Sequence, residues 1–220
     1  MEDDTSVPPA TSEKVEAAVR LAEQAADLTQ QLLSFARKQA LRAQEIELDR
    51  FLNEFRGMLS RTLDPRIRIE VAVEPGVGAV SADPSHLRTA LLNIAVNARD
   101  AMPSGGSLKF EAPANPTAAA SDLVGHDLEG LAIIRVIDTG SGIAPEDLPK
   151  VCDPFFSTKG LKGNGMGLAM VHGFAKQSGG TLRITSEEGK GTCVELWLPL
   201  ASTAREEPSL HAASPLPAAR

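Results

Sequence analysis

Two glycine clusters constrain this 220-residue chain more than any other feature: Asp138-Thr-Gly140-Ser-Gly142-Ile143 and Gly163-Asn-Gly165-Met-Gly167-Leu168. Each sets glycines two apart, so the backbone can pass close to a ligand with no Cβ in the way and offer N–H groups to anionic oxygens. The first follows Leu131 to Ile137, an apolar and β-branched run, so Asp138 stands where a buried strand opens into a flexible turn. A carboxylate there can accept a hydrogen bond from an exocyclic amine such as adenine N6. The second runs straight into Met166–Gln177, where Met166, Leu168, Ala169, Met170, Gly173 and Phe174 recur at helical spacing. Glycines feeding a helix start make an anion site from free N–H groups and the positive end of the helix dipole. A lone Gly-x-Gly is often only a turn, and neither cluster is a Gly-x4-Gly-Lys-Ser/Thr loop or a Gly-x-Gly-x-x-Gly after an N-terminal strand. Together the two clusters read as a nucleotide pocket.

A third element defines the pocket further. Ser85–Met102 reads as a helix whose apolar stripe is Leu87, Ala90, Leu91, Ile94, Ala95, Ala98 and Met102. Asn93 and Asn97 lie four apart, so both amides project from one face. Neutral amides on an apolar helix cost free energy unless partnered, and a hydrated Mg²⁺ with phosphate oxygens would supply partners. The alternative at this stage is that one or both cap a neighbouring loop.

These segments resemble a known family. Asn93-x-x-x-Asn97-Ala98-x-Asp100-Ala101, Asp138-x-Gly140-x-Gly142-Ile143, the stretch Asp153 to Lys159 and Gly163-x-Gly165-x-Gly167-Leu168 are similar to the N, G1, F and G2 boxes of sensor histidine kinases, in the same order. The resemblance runs from about Leu48 to Leu200, and Gly191-Thr192 is similar to the last glycine box. It implies the ATP-binding sandwich shared with gyrase, the Hsp90 chaperone and the MutL proteins. It also implies Asn97 as the Mg²⁺ ligand, assisted by Asn93, and Asp138 as the adenine acceptor in a pocket shaped by Gly140 and Gly142. The implied nucleotide contacts extend to Asp100, Ile143, Phe156, Gly163, Gly165, Met166, Gly167, Leu168 and Thr192. Asn93, Asn97 and Lys159 are the implied catalytic groups.

ATP-hydrolysing members of that wider group carry a glutamate base where this chain has Asn93, and an amide cannot accept a proton at neutral pH. Phosphoryl transfer to a side chain is therefore favoured over hydrolysis. Between Ile143 and Gly163 the chain reads as a lid, in which Pro145 to Pro149 permits only a short helix. Phe155 and Phe156 are either its latch or core residues, and Lys159 and Lys162 are either phosphate contacts or solvated charges.

The net charge of -7 and pI near 5.2 argue against nucleic acid as a partner. No apolar run approaches the roughly 20 residues that span a bilayer, and the acidic start is no signal peptide, so the expected compartment is the cytoplasm. Cys152 and Cys193 have neither disulfide-framework nor metal-site spacing.

Residues 1–11 read as disordered and residues 12–45 as one long helix, free of Gly and Pro, whose apolar positions recur three and four apart. So broad an apolar face needs cover, from a second copy in a homodimer or from the chain's own domain. Leu28–Lys38 resembles the second helix of the kinase dimerisation hairpin. The first helix, which carries the acceptor histidine, has no counterpart here: the histidines are His86, His126, His172 and His211. Residues 46–200 form the expected ATP-binding domain, a two-layer α/β sandwich with a mixed sheet, and residues 201–220 a disordered tail.

Three functions are compatible with this. The chain is the catalytic end of a histidine kinase that phosphorylates a His-bearing hairpin on another polypeptide, or an ATP-responsive module that docks a response regulator receiver domain or a kinase hairpin without chemistry, or a serine kinase of the anti-sigma type.

Overall fold

In the computed structural model the described residues are 41–114, 130–158 and 165–201. The strands and helices are β1 (Gln44–Ile46), α1 (Leu48–Thr62), β2 (Ile67–Val73), β3 (Val80–Ala82), α2 (Pro84–Ala101), β4 (Gly106–Ala112), β5 (Leu131–Asp138), α3 (Gly167–Gln177), β6 (Thr181–Glu187) and β7 (Gly191–Pro199). A single 3-10 turn, Leu148–Lys150, follows β5, as the prolines around it dictate. Five strands form one sheet in the order β2-β4-β5-β7-β6, and β1 pairs with β3 in a separate two-stranded sheet. The β2–β4 pair is parallel and the other three pairs of the large sheet are antiparallel.

The expected α/β sandwich with a mixed sheet is present. Leu108, Phe110, Ile134, Val136, Val194, Leu196 and Leu198 point from the sheet into one core with Leu52, Phe55 and Leu59 of α1, Leu87, Leu91 and Ile94 of α2, and Val171 and Phe174 of α3. The stripes of α1 and α2 are amphipathic at helical period, so only one face of each can be satisfied by the sheet. Phe55 meets Phe110 edge to face at 5.6 Å between centroids. On the opposite face of the sheet, Ile133 and Trp197 make a second small buried cluster.

One boundary differs from the sequence reading. The long helix was expected to reach about residue 45, but Gln44–Ile46 is a strand, in register with Val80–Ala82. Pairing with β3 hydrogen-bonds the backbone of this segment, and Ile46 is buried at 6% exposure. Tertiary pairing overrides a local helical pattern. The rest of the segment expected to be helical, the start expected to be disordered and the tail lie outside the described residues.

Asp83 fixes the start of α2. Its Oδ1 accepts the N–H groups of Ser85 (2.9 Å) and His86 (3.1 Å), while Oδ2 accepts the Arg42 N–H (3.1 Å). Pro84 follows in the first turn, where its missing N–H costs nothing. Burial pushes the carboxyl up most strongly, but the His86 side chain and the N–H bonds from His86 and Arg42 outweigh it and hold it at about 2. Asp83→Ala should therefore cost about 1 kcal/mol of stability at neutral pH. Because the folded value lies below the unfolded one, that contribution is complete above about pH 4 and disappears as pH falls toward 2. Thermal unfolding of both proteins across this range should show the difference closing only on the acid side.

Candidate nucleotide-binding site

The expected site residues gather along one helix. The turn after β5 lies against the last turn of α2, where Ser141 donates its N–H to the Ala101 carbonyl at 3.0 Å. Gly140 sits so close to this turn that a Cβ would collide with the Ala101 side chain and carbonyl. At the middle of α2, the start of α3 approaches: a Cβ on Gly167 would lie 3.5 Å from Asn97 Nδ2 and 3.8 Å from Asn93 Cβ. Asn93 and Asn97 thus face the N-terminus of α3, with the Asp138 turn one helical turn further along. Both amides lie in the interior of α2.

Asp138 is 9% exposed. Its Oδ1 accepts the N–H groups of Gly140 at 2.8 Å and Thr192 at 3.3 Å, and no bond to Oδ2 is made by the described residues. Burial pushes this carboxyl up from the usual range, against the pull of the two N–H bonds. One oxygen is therefore fixed by backbone and the other remains as an acceptor.

The turn needs its glycines for backbone reasons. Gly142 has φ +69 and a Cβ there would overlap the Glu187 carbonyl, while Gly191, at φ +111, lies against the Asp138 carbonyl. Sequence reasoning missed the residue that joins these two turns. Ser186, at the end of β6, accepts the Ile143 N–H at 2.9 Å, donates to the Gly191 carbonyl at 2.9 Å and lies 2.9 Å from Thr192 Oγ1. The only signal was its place five residues before the last glycine box, which an ordinary turn-capping serine shares.

Other expected site residues fall as follows. Gly165, at φ +63, accepts from the Phe155 N–H through its carbonyl at 3.0 Å. Phe155 is 59% exposed, so it is not a core residue, and Phe156 is half-buried. Met166 is buried at 2% exposure and Leu168 packs on the main core. Asp100 is held by its neighbour, the Arg99 guanidinium, at 2.7 and 2.9 Å. Lys159, Lys162 and Gly163 lie outside the described residues, as do His126 and His211.

Beyond Asn93 a cleft of about 140 Å³ opens between α2 and α3, lined by Ser85, His86, Thr89, Ala90, Asn93, Met170 and Phe174. The His86 ring lies parallel to Phe174 at 6.5 Å, with Nδ1 3.0 Å from Asp83 Oδ1. The geometry of that contact falls short of an aligned hydrogen bond. His172, on α3, is pushed below the ordinary imidazole value by burial and then by Lys176.

A buried acid at a strand end, glycine turns on both sides of it and an amide pair facing a helix start define an ATP-binding sandwich. The chain belongs to the family of histidine kinase-, DNA gyrase B-, and HSP90-like ATPases, which matches residues 82–202. Among its relatives is the sensor kinase CckA of Brucella abortus (strain 2308), 40% identical over 181 residues, covering 81% of this chain and 19% of that protein. The chain therefore spans about a fifth of that relative. The solved structure of full-length ShkA in complex with AMPPNP has a TM-score of 0.68 at 24% identity, covering 90% of this chain and 40% of that one. The histidine kinase ThkA, solved in complex with the response regulator TrrA, has a TM-score of 0.68 at 16% identity, covering 93% of this chain and 56% of ThkA. These two likenesses establish the fold.

Proposed function

We propose that this chain is the ATP-binding catalytic region of a histidine kinase in two-component signalling, passing the ATP γ-phosphoryl to a histidine on a partner hairpin. The observation that carries this reading is the approach of Gly167 to Asn93 and Asn97, with the Asp138 turn bonded to the same helix. Adenine would be read by Asp138 Oδ2, and the phosphates would lie toward the start of α3, where N–H groups and the helix dipole favour anions.

The donor set fits magnesium. This ion takes one or two protein oxygens and completes its shell with substrate phosphates and water, and among the described residues no cluster of three or more His, Cys, Asp or Glu side chains competes as a cage. Asn97 would hold it through the amide oxygen, with Asn93 orienting the same group. Magnesium supplies neutralisation of phosphate charge. Lys159 would add a contact from the segment ahead of Gly163. No residue need act as base toward a neutral imidazole nitrogen: the bond from Pγ to the bridging oxygen breaks, ADP leaves, a P–N bond forms and the imidazole proton passes to solvent.

A response regulator receiver domain is the expected downstream partner, residues 12–45 the expected dimer contact, and the cytoplasm the expected compartment. No helix among the described residues is long and apolar enough to cross a membrane. Incubating the chain with labelled ATP and a separate hairpin peptide bearing the acceptor histidine should give an acid-labile, base-stable label on the peptide. ATP binding without transfer would instead assign a docking module, and acid-stable label on an antagonist protein an anti-sigma-type serine kinase.

A further inference from the structure

We infer that Ser186 is a positioning residue that sets the hydrogen-bond polarity of the base pocket, making it selective for a purine that carries an exocyclic amine. The inference rests on the nucleotide reading of the site and deepens it by naming what makes the pocket choose its base.

A serine hydroxyl has one proton and two lone pairs. At Ser186 the Ile143 N–H occupies one lone pair, at 2.9 Å, because a backbone amide can only donate. The Gly191 carbonyl, also at 2.9 Å, can only accept, so it takes the Ser186 proton. The remaining contact, Thr192 Oγ1 at 2.9 Å, is then left with one assignment: Thr192 donates and Ser186 accepts. All three positions of the Ser186 hydroxyl are used.

The consequence falls on Thr192. With its proton committed to Ser186, its hydroxyl can present only lone pairs elsewhere. Its own N–H is committed to Asp138 Oδ1, whose second oxygen is the acceptor described above. The groups around the end of β5 are therefore acceptors, a carboxylate oxygen and a hydroxyl lone pair. An amine donates to such a pair, directly or through water; a carbonyl in the same place meets repulsion and leaves buried groups unpaired. Adenine carries an amine where guanine carries a carbonyl.

Ser186 acts at a distance, through two turns. It fixes Ile143, which ends the first glycine cluster, and Gly191, whose positive φ brings Thr192 onto Asp138.

The test is calorimetric titration of the whole chain with ATP and, separately, GTP, each with Mg²⁺, for the natural protein and for Ser186→Ala, Ser186→Thr and Thr192→Val. Ser186→Ala frees the Thr192 proton, so ATP affinity should fall roughly tenfold and the preference for ATP over GTP should shrink. Ser186→Thr keeps the hydroxyl and should restore both, which a loss through general loosening of the fold would not do. Thr192→Val removes the polarised group and should lose discrimination to the same degree, with no further loss when combined with Ser186→Ala. If the natural protein binds ATP and Ser186→Ala keeps the same base preference, the inference fails alone. If the natural protein binds neither nucleotide, the nucleotide reading fails with it.

Discussion

Asn97→Ala is expected to lower phosphoryl transfer to a hairpin histidine by on the order of a hundredfold or more, with the fold retained. The amide projects from the interior of α2 toward Gly167, where a Cβ would lie 3.5 Å from Nδ2. Alanine favours helix and adds no volume, so thermal stability should change by no more than about 1 kcal/mol. The functional loss would then be specific. Transfer assays with the hairpin peptide and thermal unfolding of the same preparation separate the two effects. Unchanged transfer in a folded Asn97→Ala protein would remove Asn97 from the site.

Asp138→Asn should divide stability from recognition in the opposite sense. Burial raises this carboxyl in the folded chain above its ordinary value of 3.8. A group whose acidity is weakened by folding destabilises the native state once ionised: the penalty is absent below the unfolded value and complete above the folded one. At neutral pH it is therefore fully present, and asparagine, which keeps an oxygen for the N–H groups of Gly140 and Thr192, removes it. The variant should be as stable as the natural protein or more so at pH 7, with the difference vanishing in acid. ATP affinity should nonetheless fall roughly tenfold to a hundredfold, because a bond to a charged acceptor is lost and the amide's N–H₂ can face the adenine amine. A variant that discriminates ATP from GTP as before would exclude Asp138 from base recognition.

Local chemistry was legible in the sequence where it had a period or a fixed offset. The apolar stripe of α2 was read as Ser85–Met102, against Pro84–Ala101 in the structure, because its spacing and the Asp83-Pro84 start are both written in adjacent residues. What could not be read was which backbone meets which. The parallel pairing of Ile67 with Gly106, the capture of Gln44 by Ala82 and the contact of Ser186 with Ile143 all join residues distant in sequence. Register of this kind is decided by packing that a local pattern does not contain. Ser186 illustrates the limit for the site itself: a polar residue before a glycine turn looks the same whether it caps the turn or ties two glycine turns together. Glu195, 3% exposed and bonded by both Arg135 and Arg183 on neighbouring strands, was missed for the same reason.

The most direct test is titration of the intact chain with ATP in the presence and absence of Mg²⁺, alongside Asn97→Ala and Asp138→Asn. One saturable site is predicted, strengthened by Mg²⁺, with the magnesium effect lost in Asn97→Ala and the base preference lost in Asp138→Asn. No saturable binding, or binding that neither substitution alters, would contradict a single pocket built around α2.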